Sequence, residues 1–426
     1  MRTVFQNCTL LDGTETMTAR PGTDVAIENG KITEIGKVTP AKGDRVVDLT
    51  GKYLMPGLIN LHVHLPAGGK PQNKPMNANR LTKIALSSEL SRALVLRMCH
   101  AYAMQGLMSG VTTVRAVGGL ADLDTRLRDK INAGQLEGPR ILAADFAIGV
   151  PHGHMVGSVT QPAETVEDAV AMVDRLHRQK VDLIKLMITG GVMDAKVKGE
   201  PGQLMMQADM IKACCDRAHS YGLKVAAHVQ SPEGVRTAVN NGVDSIEHGS
   251  TLSAAELEAF HDSGAVLVCT LSPAMPMAKF QRETLGISEA VQYNSDLVYN
   301  NMVLGAKAAL ADGVPVGMGT DTGCPYTTHY NMWRELHYFQ KEVGVTPEFA
   351  LYTATLNNAR ILGLGDVTGS VEVGKCADLL IASSDPMEDF RALEQPYMVV
   401  ARGKVYDHPV IKKYPKADQE LDKYYN

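Results

Sequence analysis

The chain has 426 residues, 45% of them hydrophobic and 21% charged, with a formal net charge of -5. That length exceeds the size at which single cores usually stop growing, so one large domain with a smaller companion is expected. The composition excludes a disordered chain, and a net negative charge with no basic run argues against a nucleic-acid partner.

Short strands broken by turn signals open the chain: RTVFQNCTLL, then DVAIENGKITEIGK with Asn29-Gly30 at the hairpin position, then RVVDLTGKYLMPG. The style then changes to strands alternating with amphipathic helices. The expected strands are LINLHVH (58–64), TTVRAV (112–117), RILAADFAI (140–148), LIKLMIT (183–189), KVAAHV (224–229), SIEHG (245–249), AVLVCT (265–270) and VPVGMGTD (314–321). AETVEDAVAMVDRLHRQ and QADMIKACCDRAHSYG are expected as helices between them. Eight parallel-type strands with helical crossovers match the rhythm of an α/β (β/α)8 TIM barrel. A doubly wound sheet is the alternative, but its G-x-G-x-x-G fingerprint does not follow the first strand. Toward the end, GSVEVGKCADLLIASS and PYMVVARGKVYDH return to short strands. Residues 1–55 and 362–426 are therefore expected to form a small β-sandwich domain, and 56–361 the barrel.

Seven cysteines without a C-x-x-C pair support neither a disulfide framework nor a cysteine zinc site, and reduced thiols in the cytoplasm are the simple expectation. MRTVFQNCTLLDG does not read as a signal peptide, and no run of about 18 apolar residues predicts a membrane span.

Catalytic groups of such a barrel stand at the C-terminal ends of its strands. The first strand ends in His62-Val63-His64, two imidazoles on one face. Lys185 lies in the fourth strand, His228 near the end of the fifth, His248 of the sixth and Asp321 of the eighth. Singly each has a bland explanation, such as a satisfied core histidine or a helix-capping aspartate. Lys185 is the hardest to excuse, because an unpaired buried ammonium costs several kcal/mol. Together, in chain order around one barrel, they are best explained by a single metal site.

These residues, with PGLINLHVHLP, GVTTVRAVGG, LIKLMITGGV, VAAHV, DSIEHGS, GTDTG and GSVEVGKCADLLI, resemble the signature of the amidohydrolase superfamily. Within it the resemblance is to the prolidase-like branch of Xaa-Pro dipeptidases and related amide hydrolases. It implies a hydrolase of small amide or dipeptide substrates with two divalent metal ions, zinc first. His62, His64 and Asp321 would hold one ion and His228 and His248 the other. Lys185 would bridge them as a carbamate derived from CO2. Burial favours the neutral amine that adds CO2, so the cost of the ammonium disappears with the ammonium. A bridging hydroxide would attack the scissile carbon, with Asp321 as general acid and base. A homo-oligomer is expected on the family's habit alone.

Four loops are candidates for the substrate pocket: PAGGKPQNKPMNANRLTK (66–83), PHGHMVGS (151–158), VMDAKVKGEPGQLMM (192–206) and CPYTTHYNMW (324–333). They offer His154, Tyr326 and His329 as substrate contacts. The glycines Gly190 and Gly191 are expected to turn the backbone away above the ions. Two departures from the prolidase-like pattern stand out. Gln230 replaces a second histidine after His228, so it hydrogen-bonds substrate without adding charge. Arg115 is followed by Ala116 rather than an acidic residue, which frees it in principle to pair with an anion, although a structural salt bridge elsewhere is the stronger expectation. The alternatives are a cyclic amide hydrolase of imidazolonepropionase type, which the bridging lysine opposes, and an inactive oligomeric scaffold, which the intact ligand set opposes.

Overall fold

The structure is a computed structural model describing residues 2–72, 77–195 and 197–425. Both termini contribute to one eight-stranded sheet. Its order is Lys404–Asp407, Met398–Ala401, Leu379–Ala382, Tyr53–Pro56, Thr3–Leu10, Arg20–Glu28 and Lys31–Gly36, with Arg45–Asp48 pairing parallel to Thr3–Leu10. The hairpin forms where expected: Asn29 and Gly30 both take positive φ, 50° and 80°, the requirement of a two-residue turn that matches strand twist. Phe5, Leu10, Val25, Leu54, Leu379 and Val400 belong to this unit's own core. The chain then leaves it. The last helix, Pro415–Asp422, docks on the segment after strand eight, where Asp418 accepts from Tyr330 Oη at 3.0 Å and Asp422 from Arg334 Nη2 at 2.7 Å.

The middle of the chain forms parallel sheets. One contains, in order, Thr160–Pro162, Ala147–Gly149, Leu183–Met187, Lys224–Val229, Ser245–His248, Val266–Cys269 and Val316–Met318; the other contains Leu58–Val63, Val111–Ala116 and Arg140–Ala143. Leu58–Val63, Val111–Ala116 and Leu183–Met187 are buried at every position, as for strands covered on both faces. A parallel bridge between Val63 and Thr322, with Asp321 N–H donating to His62 O at 2.8 Å, joins the first strand to the end of the eighth. Gly319 permits that approach, since a Cβ there would lie 2.5 Å from His62 Cβ.

The expected third strand is broken in two. Asp145 between Arg140–Ala143 and Ala147–Gly149 has a left-handed φ of 56°, and its carboxylate accepts from Thr125 N and Oγ1 at 3.0 and 2.9 Å. Those bonds to the neighbouring helix replace the ladder. The helix expected from 163 to 179 runs Val166–Arg178, stopped at its start by a Thr165–Asp168 capping box.

Candidate active site

Four imidazoles gather at the C-terminal ends of the parallel strands. Ring centroids lie 5.3 Å apart for His62 and His64, 4.9 Å for His62 and His248, and 4.7 Å for His228 and His248. One ligand atom each from His62, His248 and Asp321 falls within 4.8 Å of the others, a spacing one metal ion can span. Strand alternation alone would point Glu247 and His248 to opposite faces. His248 escapes that rule with a left-handed φ of 69°, and Asp321 shares the feature at 51°. Such backbone is costly for residues with side chains and clusters where function demands it.

Hydrogen bonds fix how these rings present themselves. His62 Nδ1 donates to Glu247 Oε2 at 2.7 Å and His64 Nδ1 donates to Gly118 O at 2.8 Å. The Nε2 atoms of both rings therefore face Asp321 Oδ1, at 3.4 and 3.0 Å. Two imidazole lone pairs converging on a carboxylate repel unless a cation stands between them. Burial, then Lys185, lowers the pKa of His62 to about 4, so protonation of that ring is not the remedy. Burial pushes Asp321 up, but positive charge at the positions of His62 and His64 would push it more strongly down, and it ends well below the usual carboxylate range.

The second half of the cluster is defined by what it lacks. Lys185 is fully buried and its Nζ has no hydrogen-bond partner; His228 Nε2 is also buried and unpartnered. Burial lowers the lysine to about 8, with Glu247 opposing and Arg115 assisting. Burial likewise drives His228 and His248 well below the usual histidine range. Orphaned nitrogens of this kind are rare in folded proteins. Neutral imidazoles, a carboxylate and a deprotonatable amine are the donor set a divalent ion requires, so the residues fit the metals the fold implies.

The loops place the remaining candidates unequally. His154 stacks on His228 with centroids 4.3 Å apart, and its Nδ1 donates to Asp194 Oδ2 at 2.5 Å. Gly191 makes room for it, since an added Cβ would sit 2.6 Å from His154 Cε1. Gly191 thus serves close approach, whereas a Cβ on Gly190 would meet only Asp194 Cβ at 3.7 Å; neither has the left-handed φ that a glycine-only turn uses. Gln230 stands beyond His228, its N–H donating to Thr189 Oγ1 at 3.0 Å and its Oε1 buried without a partner.

Three expected contacts are otherwise engaged. Arg115, offered as a substrate contact, instead makes the structural salt bridge that is the stronger expectation, with Glu247 of strand six: Nη2 donates to Glu247 Oε1 at 2.7 Å, Nη1 to Ser245 Oγ at 3.0 Å and Nε to Leu61 O at 2.7 Å. It is a buried strut below the histidines and not a substrate contact. His329 stacks on Tyr102, and its Nε2 bonds the carbonyl of Ala67 at 2.8 Å, fastening the loop after strand one. Tyr326 is buried edge-on against Phe280, which stacks on Tyr424 of the C-terminal tail. Residues 73–76 of the first candidate loop and residue 196 of the third lie outside the described residues.

Sequence reading missed Glu247, Asp194 and Thr270, whose Oγ1 lies 2.7 Å from His248 Nδ1. For Glu247 the signal was present, an acidic side chain in an otherwise buried strand beside a histidine.

A parallel α/β protein that collects imidazoles, a carboxylate and a buried lysine at the C-terminal ends of its strands is of the metal-dependent hydrolase class acting on C–N bonds. The chain belongs to the amidohydrolase family, whose profile matches residues 53–406. It is similar to the structure of a candidate prolidase from Bifidobacterium longum, at 34% identity and a TM-score of 0.88, covering 100% of this chain and 99% of that one. It is also similar to a Xaa-Pro dipeptidase solved with methionine in its active site, at 27% identity and a TM-score of 0.83, covering 96% and 100%. Among curated sequences, ochratoxinase of Aspergillus niger is 24% identical over 431 residues, covering 92% of this chain and 85% of its own.

Proposed function

We propose that the protein is a dinuclear metal-dependent amidohydrolase that cleaves the amide bond of dipeptides, Xaa-Pro first, or of N-acyl amino acids. The observation that carries this reading is the pair of buried, unpartnered nitrogens, Lys185 Nζ and His228 Nε2, among the clustered imidazoles. Full-length likeness to a candidate prolidase and to a Xaa-Pro dipeptidase supports the substrate class. We take residues 56–361 as a closed eight-stranded barrel, with the Val63–Thr322 bridge as its seam, and 1–55 with 362–426 as the smaller domain.

His62, His64 and Asp321 would hold one ion and His228 and His248 the other, with Lys185 joining them after its neutral amine adds CO2 and releases a proton. Two divalent ions, zinc first, would supply Lewis-acid activation of the attacking water and of the scissile carbonyl. Asp321 takes the proton of that water and returns it to the leaving amine. Its Oδ1 faces His62 and His64 Nε2, and its Oδ2, which accepts from Cys324 Sγ at 3.7 Å, is the other oxygen on which a proton can be held. His154, steadied by Asp194, orients the substrate carbonyl or carboxylate. Gln230 Oε1 is an acceptor and suits the substrate's N–H groups rather than its carboxylate.

The test is an assay of the metal-reconstituted protein across Xaa-Pro, Xaa-Arg and N-acyl amino acid libraries, with metal content measured. Turnover of one of these classes with two ions per chain is expected; no turnover of any amide with less than one ion per chain would falsify the reading.

A further inference from the structure

Glu247 takes part in no step above, yet it is wholly buried at the centre of a closed network. One oxygen accepts from His62 Nδ1; the other accepts from Arg115 Nη2 at 2.7 Å and Ser245 Oγ at 2.8 Å. Arg115 is anchored in turn on the carbonyl of Leu61, one residue before His62. The first, second and sixth strands are thus tied together through one ion pair beneath one ring of the candidate metal centre.

The chemistry of that contact is directional. A carboxylate only accepts, so His62 must carry its proton on Nδ1, which leaves Nε2 as a lone pair toward Asp321. Arg115 holds that carboxylate in place, Nη2 donating to Oε1 at 2.7 Å while Ser245 Oγ donates to the same oxygen at 2.8 Å. We propose that Arg115 and Glu247 are positioning residues that lock the His62 tautomer and so set the affinity of the ion His62 holds. The inference rests on the proposed reading that His62 is a metal ligand.

A second feature makes the device accessible from outside. A cavity of about 280 Å³, lined by Arg115, Leu183, Ala226, Ser245, Val266 and Pro315, lies at the opposite ends of the strands from the histidines. Arg115 has five N–H donors, and its hydrogen bonds to protein, one each from Nε, Nη1 and Nη2, leave two free beside this space. Removing the side chain would open a guanidinium-shaped extension of a cavity that already exists.

The experiment strips the purified full chain with chelator and titrates it with Zn²⁺ and Co²⁺, following stoichiometry and the Co²⁺ spectrum, alongside thermal unfolding. In Glu247→Gln the amide can donate to Nδ1 and move the ring proton to Nε2. One ion should then bind roughly 10- to 100-fold more weakly, the range for lost outer partners of a ligand, while the other binds as before. Arg115→Ala should show the same selective loss, and millimolar guanidinium, but not methylammonium, should restore the weakened ion. A purely structural strut would lower the melting temperature without selecting one ion or responding to guanidinium. Wild-type affinity for both ions in Glu247→Gln overturns the inference; if that variant does not fold, absence of guanidinium rescue in Arg115→Ala overturns it. A wild-type chain that binds no metal overturns the two-metal reading along with it.

Discussion

The two ends of the parallel strands bury polar groups equally deeply and treat them in opposite ways. Beneath the histidines the buried amides and the central ion pair are matched: Asn358 Nδ2 donates to Ile59 O and Met318 O while its Oδ1 accepts from Met318 N. Asn60 does the same for Thr320 and His62, and Arg115 and Glu247 answer each other. Above them Lys185 Nζ and His228 Nε2 have nothing, and two lone pairs converge on Asp321. Both ends carry the desolvation cost of their polar groups, but only the lower end recovers it within the protein. The contrast separates scaffold from candidate site without reference to any relative: the ion pair and amides below hold geometry, and the unpartnered nitrogens clustered above are free to take a ligand.

Three substitutions press on that contrast. Lys185→Ala carries the largest expected effect, loss of amide hydrolysis by about 10³-fold or more, as for a principal catalytic group, together with loss of bound metal. Metal analysis and circular dichroism check it; full activity in that variant would remove the lysine from the mechanism. Arg115→Met acts at the satisfied end and should cost about 3–5 kcal/mol in denaturant unfolding of the metal-free chain, because it strands Glu247 as a buried unpaired charge. Lys185→Met should have the opposite sign under the same conditions. It replaces an orphaned amine with an apolar chain and should stabilise the metal-free protein by about 1–3 kcal/mol. Destabilisation by Lys185→Met would mean that its amine has a partner in the metal-free fold.

Strand periods, turn residues and the candidacy of His62, His64, Lys185, His228, His248 and Asp321 were legible because each is a local property of a buried strand or its end. The break of the third strand was not, because it depends on Asp145 meeting Thr125 of a helix 20 residues earlier in the chain. Arg115 and Glu247 were illegible for the same reason, being 132 positions apart; read locally, the arginine seemed to lack its acid. His329 and Tyr326 lie on a segment that sequence places near the site, and only packing shows them committed to Tyr102 and Phe280. His154 is the intermediate case, since a glycine-histidine loop suggested it but only its stacking on His228 and its bond to Asp194 put it beside the cluster.

Asp124, among several orphaned polar groups elsewhere in the described residues, blurs the division and allows it to be tested at its mildest. Asp124 is wholly buried outside the metal cluster, and neither carboxyl oxygen has a hydrogen-bond partner. It lies so close to Gly119 that an added Cβ there would be 2.2 Å from Oδ2. Burial, reinforced by Asp145, raises its pKa well above the usual carboxylate range. Since it serves no ion, the consequence falls on stability. The native carboxyl keeps its proton where the unfolded one, near about 3.9, has lost it. Its favourable contribution is therefore fully present below about pH 4 and is lost as pH rises toward the native pKa, by up to about 1.4 kcal/mol per unit. Asp124→Asn, neutral at every pH and nearly isosteric, should match the wild type near pH 4 and exceed its stability increasingly toward pH 8. Urea unfolding of both chains across that range reads the difference. A gap that stays constant with pH would show that Asp124 does not titrate between the folded and unfolded chains, and that orphaned polar groups outside the cluster carry no cost of their own.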